Sequence, residues 1–203
     1  MKRYAIYISI IFVLAGVFLM LGCAGTEPSR FYTLSTLSGE DMRQEPPAGE
    51  LSVGIGPVEI PDYLDRPQIV TRSGLNELKV AEYDRWAGSL SENIAMAVRE
   101  NLSFLLGTDR IFAYPWNSSS AIDYKLTIKI IRLDSIPGDY VALKAMWTVS
   151  SAQGNKEIVT RVTDYKEKLN ASGYDAIVAA TGKTFVNLSR DIAGEIRTII
   201  RVK

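Results

Sequence analysis

The sequence contains no histidine and only one cysteine among its 203 residues. Without histidine, a Ser-His-Asp triad, a Cys-His pair and a histidine-ligated zinc site are all excluded. A single cysteine also excludes an internal disulfide and a four-cysteine metal site. Any catalysis would have to use carboxylates, lysine, tyrosine or serine. These exclusions argue against an enzyme, and we expect no metal ion and no cofactor.

The chain also lacks an excess of charge of either sign, because 23 basic residues balance 23 acidic ones. A nucleic-acid-binding protein presents a basic field to the phosphates, so this balance argues against a nucleic-acid partner. Hydrophobic residues make up 47% of the sequence, enough to bury a core. The length suits one domain and not two large ones.

The first 23 residues differ in composition from the rest of the chain. Lys2 and Arg3 precede an apolar run over residues 5–21, and no charged residue occurs over residues 4–26. A basic segment followed by an apolar segment and small residues is typical of a secretory signal. The run is about as long as the shortest membrane-spanning helices, so an uncleaved anchor is the alternative.

The segment Met20-Leu21-Gly22-Cys23 resembles the bacterial lipobox, in which a cysteine after a small residue becomes the lipidated first residue of the mature chain. We expect a lipoprotein signal peptide over 1–22, a covalent lipid on Cys23, a tether over 23–29 and one domain over 30–203. An incidental buried thiol is the alternative. Ala24 follows the cysteine. By resemblance to Gram-negative lipoproteins, the lack of Asp there implies the outer membrane, with the domain facing the periplasm.

The hydrophobic pattern after the tether predicts one α+β domain. Alternating apolar residues predict strands over 30–34, 51–60, 68–72, 77–83, 111–116, 122–130, 141–149 and 158–168. An apolar stripe at helical spacing from Trp86 predicts a helix capped by Ser89 and Gly107, and a second helix follows Gly173. We expect a largely antiparallel sheet with two long amphipathic helices packed on one face.

A loop bounded by Pro61 and Pro67 holds candidate site residues. Asp62 and Asp65 could form a paired-carboxylate site, but Asp beside Pro more commonly caps a turn. Tyr63 and Leu64 between the prolines are candidates for an exposed apolar anchor. Packing back onto the sheet is an equally good alternative for these two side chains.

Arg85 and Trp86 form a second candidate. If Trp86 begins the first helix, it belongs to the core and Arg85 lies at the helix N-terminus, where the helix dipole disfavours a cation. That placement indicates an ion pair or a binding contact, with simple solvation as the alternative.

Several segments, in this order, resemble the ABC-type transport auxiliary lipoprotein family, which includes the outer-membrane lipoprotein of the paraquat-inducible intermembrane transport system. The matching segments are residues 30–34, 53–58 and 60–70, then Arg85-Trp86-Ala87 before a helix with Asn93 and Leu102. The segment 60–70 is the most specific. Gly88-Ser89 stands where the family pattern has Glu-Pro.

The resemblance implies a non-enzymatic component of a lipid-transport system. Such systems pair an inner-membrane ABC transporter with a mammalian-cell-entry (MCE) domain protein that reaches across the periplasm. The lipoprotein would dock the MCE-domain protein at the outer membrane, as a homo-oligomer for which a ring is one arrangement. By match of motif, the resemblance assigns docking roles to Tyr63, Leu64, Arg66, Arg85 and Trp86. The alternatives are an envelope-assembly lipoprotein of another machine and a carboxylate-dependent periplasmic hydrolase.

Replacing Cys23 with serine removes the sulfur to which the acyl chains would attach. We expect the Cys23→Ser variant to incorporate no radiolabelled palmitate and to leave the membrane fraction, because acyl chains hold the domain at the bilayer. Labelling in cells followed by membrane fractionation measures both effects. Palmitate that remains on the serine variant would contradict the predicted anchor.

Overall fold

The computed structural model describes residues 27–37, 50–116, 121–154 and 156–202. The predicted signal peptide, Cys23 and the first part of the predicted tether lie outside these residues. The structure therefore bears on the predicted domain and on the last residues of the tether.

The larger of two sheets contains five strands, β2 (Val53–Glu59), β5 (Ile111–Ala113), β6 (Tyr124–Ile136), β7 (Tyr140–Ser151) and β8 (Glu157–Lys168). Their order is β5-β2-β6-β7-β8. Strands β6, β7 and β8 form the predicted antiparallel meander, whereas β2 pairs in parallel with both β5 and β6. The sheet is therefore mixed, and the expectation of a largely antiparallel sheet needs this correction. Alternating hydrophobicity shows that a segment is a strand, but it carries no information on strand direction.

A second, smaller sheet contains β1 (Arg30–Tyr32), β3 (Gln68–Arg72) and β4 (Leu78–Trp86). The order is β1-β4-β3, with β3 and β4 joined as the predicted antiparallel hairpin. Strand β1 pairs in parallel with β4. The sequence predicted these strands but not their separation into a sheet of their own.

The first helix, α1 (Leu90–Leu106), has the predicted caps. The Ser89 side chain accepts a hydrogen bond from the Glu92 N–H at 3.2 Å, and Gly107 ends the helix with a φ of 64°. The helix starts after Trp86, because β4 extends through that residue. Arg85 therefore lies in a strand, and its expected place at a helix N-terminus is not observed.

The second helix, α2 (Tyr174–Val202), follows Gly173 as predicted. Both helices contact each other and the five-stranded sheet. Phe185 and Ile192 of α2 are completely buried, as is nearly all of Trp147 on β7. Burial of such large apolar side chains supplies most of the favourable free energy of folding. No helix in the described part of the chain is long and apolar enough to cross a bilayer.

The chain after β1 lies directly on the two helices. The Leu37 N–H donates to the Asn101 side chain of α1 at 2.8 Å. On α2, a Cβ added to Gly182 would lie 2.5 Å from Ser35 Oγ and 2.9 Å from the Ser35 carbonyl oxygen. This close approach of two backbones requires glycine at position 182.

The two α2 glycines should respond to alanine with opposite signs. Gly182→Ala should lower the free energy of unfolding by about 1–3 kcal/mol, because the methyl group meets the Ser35 backbone. Gly194→Ala should raise it by about 0.5–1 kcal/mol, because no heavy atom lies within 4 Å of that Cβ and alanine favours a helix. Equilibrium urea unfolding measures both. Equal effects would contradict the described contact between the 33–37 segment and α2.

A buried carboxylate attaches β1 to β4. Asp84 is 3% exposed, and its side chain accepts hydrogen bonds from Arg30 Nε at 2.9 Å, Arg30 Nη2 at 3.0 Å and the Tyr32 hydroxyl at 2.7 Å. A buried carboxylate without such donors would be costly. The network therefore favours this single register of β1 against β4.

Removing the Tyr32 hydroxyl tests this network. Tyr32→Phe should lower the free energy of unfolding by about 1–2 kcal/mol, because a buried carboxylate loses one of its donors while the lost hydroxyl is itself only partly buried. The control is Tyr83→Phe, whose hydroxyl bonds Glu82 at the surface and whose loss should change stability little. Thermal and urea unfolding of both variants measure the difference. If the two substitutions were equivalent, the Asp84 network would not hold β1.

Candidate functional site

The structure brings the two candidate segments together. The proline-bounded loop forms one turn of 3-10 helix over Asp62–Leu64, and the Pro67 carbonyl accepts from the Trp86 N–H at 2.7 Å. The next residue, Gln68, lies opposite Arg85 in the β3–β4 ladder. Segments far apart in sequence thus form one continuous surface region.

The five predicted docking residues divide into three groups. Leu64 and Trp86 belong to the core, with 4% and 5% of their surfaces exposed. Arg66 is exposed, and Tyr63 and Arg85 are partly buried. Of the five, only Arg66, Tyr63 and Arg85 have surface that a partner could contact without rearrangement. Leu64 and Trp86 pack in the core beneath them.

Tyr63 is directed towards the larger sheet. Burial raises the pKa of the Tyr63 phenol, and a hydrogen bond from the Leu133 backbone partly offsets that rise. The hydroxyl therefore stays protonated at neutral pH. This contact joins the loop to β6.

Arg85 lies at the centre of a row of side chains across the small sheet. Phe31 of β1 and Gln68 of β3 are both directly opposite Arg85 of β4, so the three side chains share one face, called here the Arg85 row. Phe31 is 65% exposed. The row therefore presents an aromatic ring, a cation and an amide side by side.

The Arg85 guanidinium has an unsatisfied donor. Its Nε is buried, and no acceptor for it is present among the described residues. A buried N–H without a partner costs free energy, and such cases in native structures are few.

A cleft of about 510 Å³ opens beside the end of β4. Its lining includes Thr33, Ala87, Glu92, Met96 and Glu100. Met96 is 44% exposed, although it lies on α1. The cleft lies directly beyond Trp86 along the chain, so it extends the surface that contains the Arg85 row.

The turn before α1 accounts for the departure from the family pattern. Gly88 has a φ of 101°, which favours glycine, and Ser89 caps the helix. The Asn93 amide donates to the carbonyls of Ala87 and Ser89 at 3.2 and 2.9 Å. Gly-Ser therefore forms a compact, hydrogen-bonded turn.

The carboxylates of the loop lie at its surface. Asp62 and Asp65 are both exposed, and the Asp65 N–H donates to the Asp62 carbonyl at 3.2 Å. Within the described residues, no group of three cysteine, aspartate or glutamate side chains could hold a metal ion.

Two site residues, Phe31 and Gln68, were not predicted from the sequence. Phe31 and Tyr32 are adjacent aromatic residues of one short strand, so one had to face inwards and the other outwards. The sequence contains no signal that decides between them. The pairing of β1 with β4 does so, by placing Tyr32 beside Trp86 and Phe31 beside Arg85.

Solved structures share this fold. An uncharacterised protein superposes with a TM-score of 0.68 at 20% identity, over 84% of this chain and 99% of its own. Protein XCC0632 from Xanthomonas campestris superposes with a TM-score of 0.69 at 14% identity, over 84% of this chain and 95% of its own. At such identities the likeness establishes the fold alone. No curated protein sequence matches this chain.

The family comparison extends over most of the domain. Residues 32–193 match the pattern of the ABC-type transport auxiliary lipoprotein component. The match includes the proline-bounded loop, Arg85, the first helix and most of the second, and it begins one residue after Phe31. The chain therefore belongs to the family of ABC-type transport auxiliary lipoprotein components.

Proposed function

We propose that this protein is an outer-membrane-anchored periplasmic lipoprotein that docks an MCE-domain protein of an ABC lipid-transport system. Membership of the transport auxiliary family supports a role beside an ABC transporter. The lipobox-like segment ending at Cys23 supports attachment through acyl chains, and Ala24 supports the outer membrane as the site of attachment. The role is one of binding and not of catalysis.

The observation that carries the docking proposal is the Arg85 row. Aromatic residues, phenylalanine included, and arginine are both enriched at protein interfaces. Here Phe31 is 65% exposed, and Arg85 has a buried Nε without an acceptor. A partner that covers Phe31 and brings a carbonyl or carboxylate to the partly buried Arg85 guanidinium would bury apolar area and form a charge-assisted hydrogen bond.

The surface is preorganised for such contact. Strand pairing fixes Phe31, Arg85 and Gln68, and the hydrogen bond from Trp86 N–H to the Pro67 carbonyl fixes the loop beside them. A rigid surface loses less conformational entropy on binding, so more of the contact free energy appears as affinity. In this arrangement Arg66 and Arg85 contact the partner, Tyr63 positions the loop, and Leu64 and Trp86 support it.

The proposal includes a homo-oligomer, with a ring as one closed arrangement. Strands β5 and β8 are the two edges of the larger sheet, and β8 is long, from Glu157 to Lys168. An open edge offers unpaired backbone groups to another chain. Repeated contact between two different surfaces of identical chains closes into a ring when the rotation allows.

Substitutions in the Arg85 row and in the adjoining proline-bounded loop should weaken capture by the MCE-domain protein. We expect Phe31→Ala and Arg66→Ala each to weaken binding about tenfold or more, because each removes an exposed contact at the proposed interface. The matched controls are Tyr114→Ala, which removes an aromatic ring that is 59% exposed, and Arg201→Ala, which removes an exposed arginine near the end of α2. A pull-down of the MCE-domain protein with the full-length lipoprotein measures all four.

The controls decide the interpretation. Normal binding by the controls and weak binding by the two variants would support the proposed surface. Absence of binding by the wild-type protein would count against docking itself and favour an envelope-assembly lipoprotein of another machine. Equal binding by the wild type and all four variants would show that the interface lies elsewhere on the domain.

A further inference from the structure

The β3–β4 hairpin presents apolar side chains to solvent. Leu75 at its tip is 93% exposed, and Leu78 and Val80 on β4 are 37% and 47% exposed. Single exposed apolar residues are ordinary on protein surfaces. Three within six positions of one projecting hairpin are less so, and the proposed docking function uses none of them.

The tip is held in place by side-chain contacts. Ser73 and Glu77 close the turn, with a backbone hydrogen bond of 3.2 Å from the Ser73 N–H and a bond of 2.5 Å from the Ser73 hydroxyl to the Glu77 carboxylate. Arg72 donates to the Leu75 carbonyl at 3.0 Å and also to the Asp134 carboxylate of β6 at 2.9 Å. These bonds connect the tip to the larger sheet, so Leu75 is presented to solvent by a braced turn.

The amino-terminal chain runs towards this tip. Because β1 is parallel to β4, the residues before Arg30 extend in the direction of Leu78. The pKa of Tyr83 is raised by its hydrogen bond to Glu82, and the charge of Glu27 adds to that rise, as expected for a chain that runs back along β4. The described part of the tether, residues 27–29, is therefore directed along β4 to the end where the hairpin turns.

The number of residues between Cys23 and Glu27 limits how far apart the two can lie. Cys23 lies four residues before Glu27, so covalent geometry keeps it within about 14 Å of that residue. In the β1–β4 register, the position three residues before Arg30 corresponds to Ala81, from which the strand covers about 10 Å to Leu78, and the turn with Leu75 lies further still. The tip therefore reaches about as far in the strand direction as Cys23 can.

We propose that the hairpin tip inserts Leu75 into the lipid surface that holds the acyl chains of Cys23, as a second contact of the domain with the membrane. The inference rests on the lipid anchor in the proposed function. Leu78 and Val80 lie above Leu75 on β4, where the boundary between acyl chains and headgroups accepts partly buried apolar residues. The Arg85 row lies near the opposite end of β4 and is therefore separated from the proposed membrane contact by most of the strand's length.

The experiment uses the lipidated full-length protein with one added cysteine. In the mature lipoprotein the sulfur of Cys23 is a thioether, so Leu75→Cys supplies the single thiol that reacts with an environment-sensitive fluorophore. The matched control is Val202→Cys, which replaces another apolar residue that is 84% exposed. Val202 lines a cavity with Ser151, at the end of β7 remote from the Arg72–Asp134 contact.

Both labelled proteins are reconstituted into vesicles of phosphatidylethanolamine and phosphatidylglycerol. The fluorophore at position 75 should shift to shorter wavelength and be quenched several-fold more by acyl-brominated lipid than the fluorophore at position 202. Iodide, which stays in the water, should quench the fluorophore at position 202 more than the fluorophore at position 75. With the fluorophore attached at Leu78→Cys instead, adding Leu75→Asp should reduce its quenching by brominated lipid, and adding Val202→Asp should not.

Other outcomes would overturn the inference. Equal quenching by iodide at both positions, in protein that floats with the vesicles, would overturn the hairpin contact while leaving the anchor intact. Shielding of position 75 only after the MCE-domain protein is added would assign the hairpin to a protein partner. Protein that carries no lipid by mass spectrometry and fails to float would overturn the anchor and the hairpin contact together.

Discussion

The carboxylate of Asp84 receives three hydrogen bonds from β1, and the arrangement of the amino-terminal part of the domain depends on them. They favour a parallel register in which Tyr32 lies beside Trp86 and faces inwards, while Phe31 lies beside Arg85 and faces outwards. The same register sends the preceding residues along β4. The buried Asp84 carboxylate thus favours the register in which Phe31 faces outwards, Tyr32 faces inwards and the chain before Arg30 runs along β4.

Strand β4 connects the two proposed contact surfaces. Its first residue, Leu78, belongs to the hairpin near the tether, and Arg85 near its other end lies at the centre of the Arg85 row. An adaptor between a membrane and a second protein needs two surfaces held at a fixed separation, and a paired strand supplies this because its rise per residue is nearly constant. The contact of Gly182 with the Ser35 backbone and the bond from Leu37 to Asn101 hold the chain after β1 on the helices.

The predicted site residues show which features of the site a sequence motif can predict and which it cannot. The segments around Tyr63 and Arg85 were expected to act in one function, and the structure places them side by side through Pro67 and Trp86. Leu64 and Trp86 are buried in the core, whereas Arg66 is exposed. The motif alone could not show this difference. Nor could it include Gln68 or Phe31 as surface residues, because their position depends on strand pairing.

The sequence determined those helices and strands that depend on patterns within a short stretch of the chain. Helix α1 with its caps at Ser89 and Gly107, the β6–β8 meander and helix α2 follow from hydrophobic period and turn residues, which act over a few positions of the chain. Tertiary structure alone decided the parallel pairing of β2, the continuation of β4 through Trp86 and the separation of a second sheet. These features depend on contacts between residues distant in sequence, whose register is set by buried groups such as Asp84 and not by any local pattern.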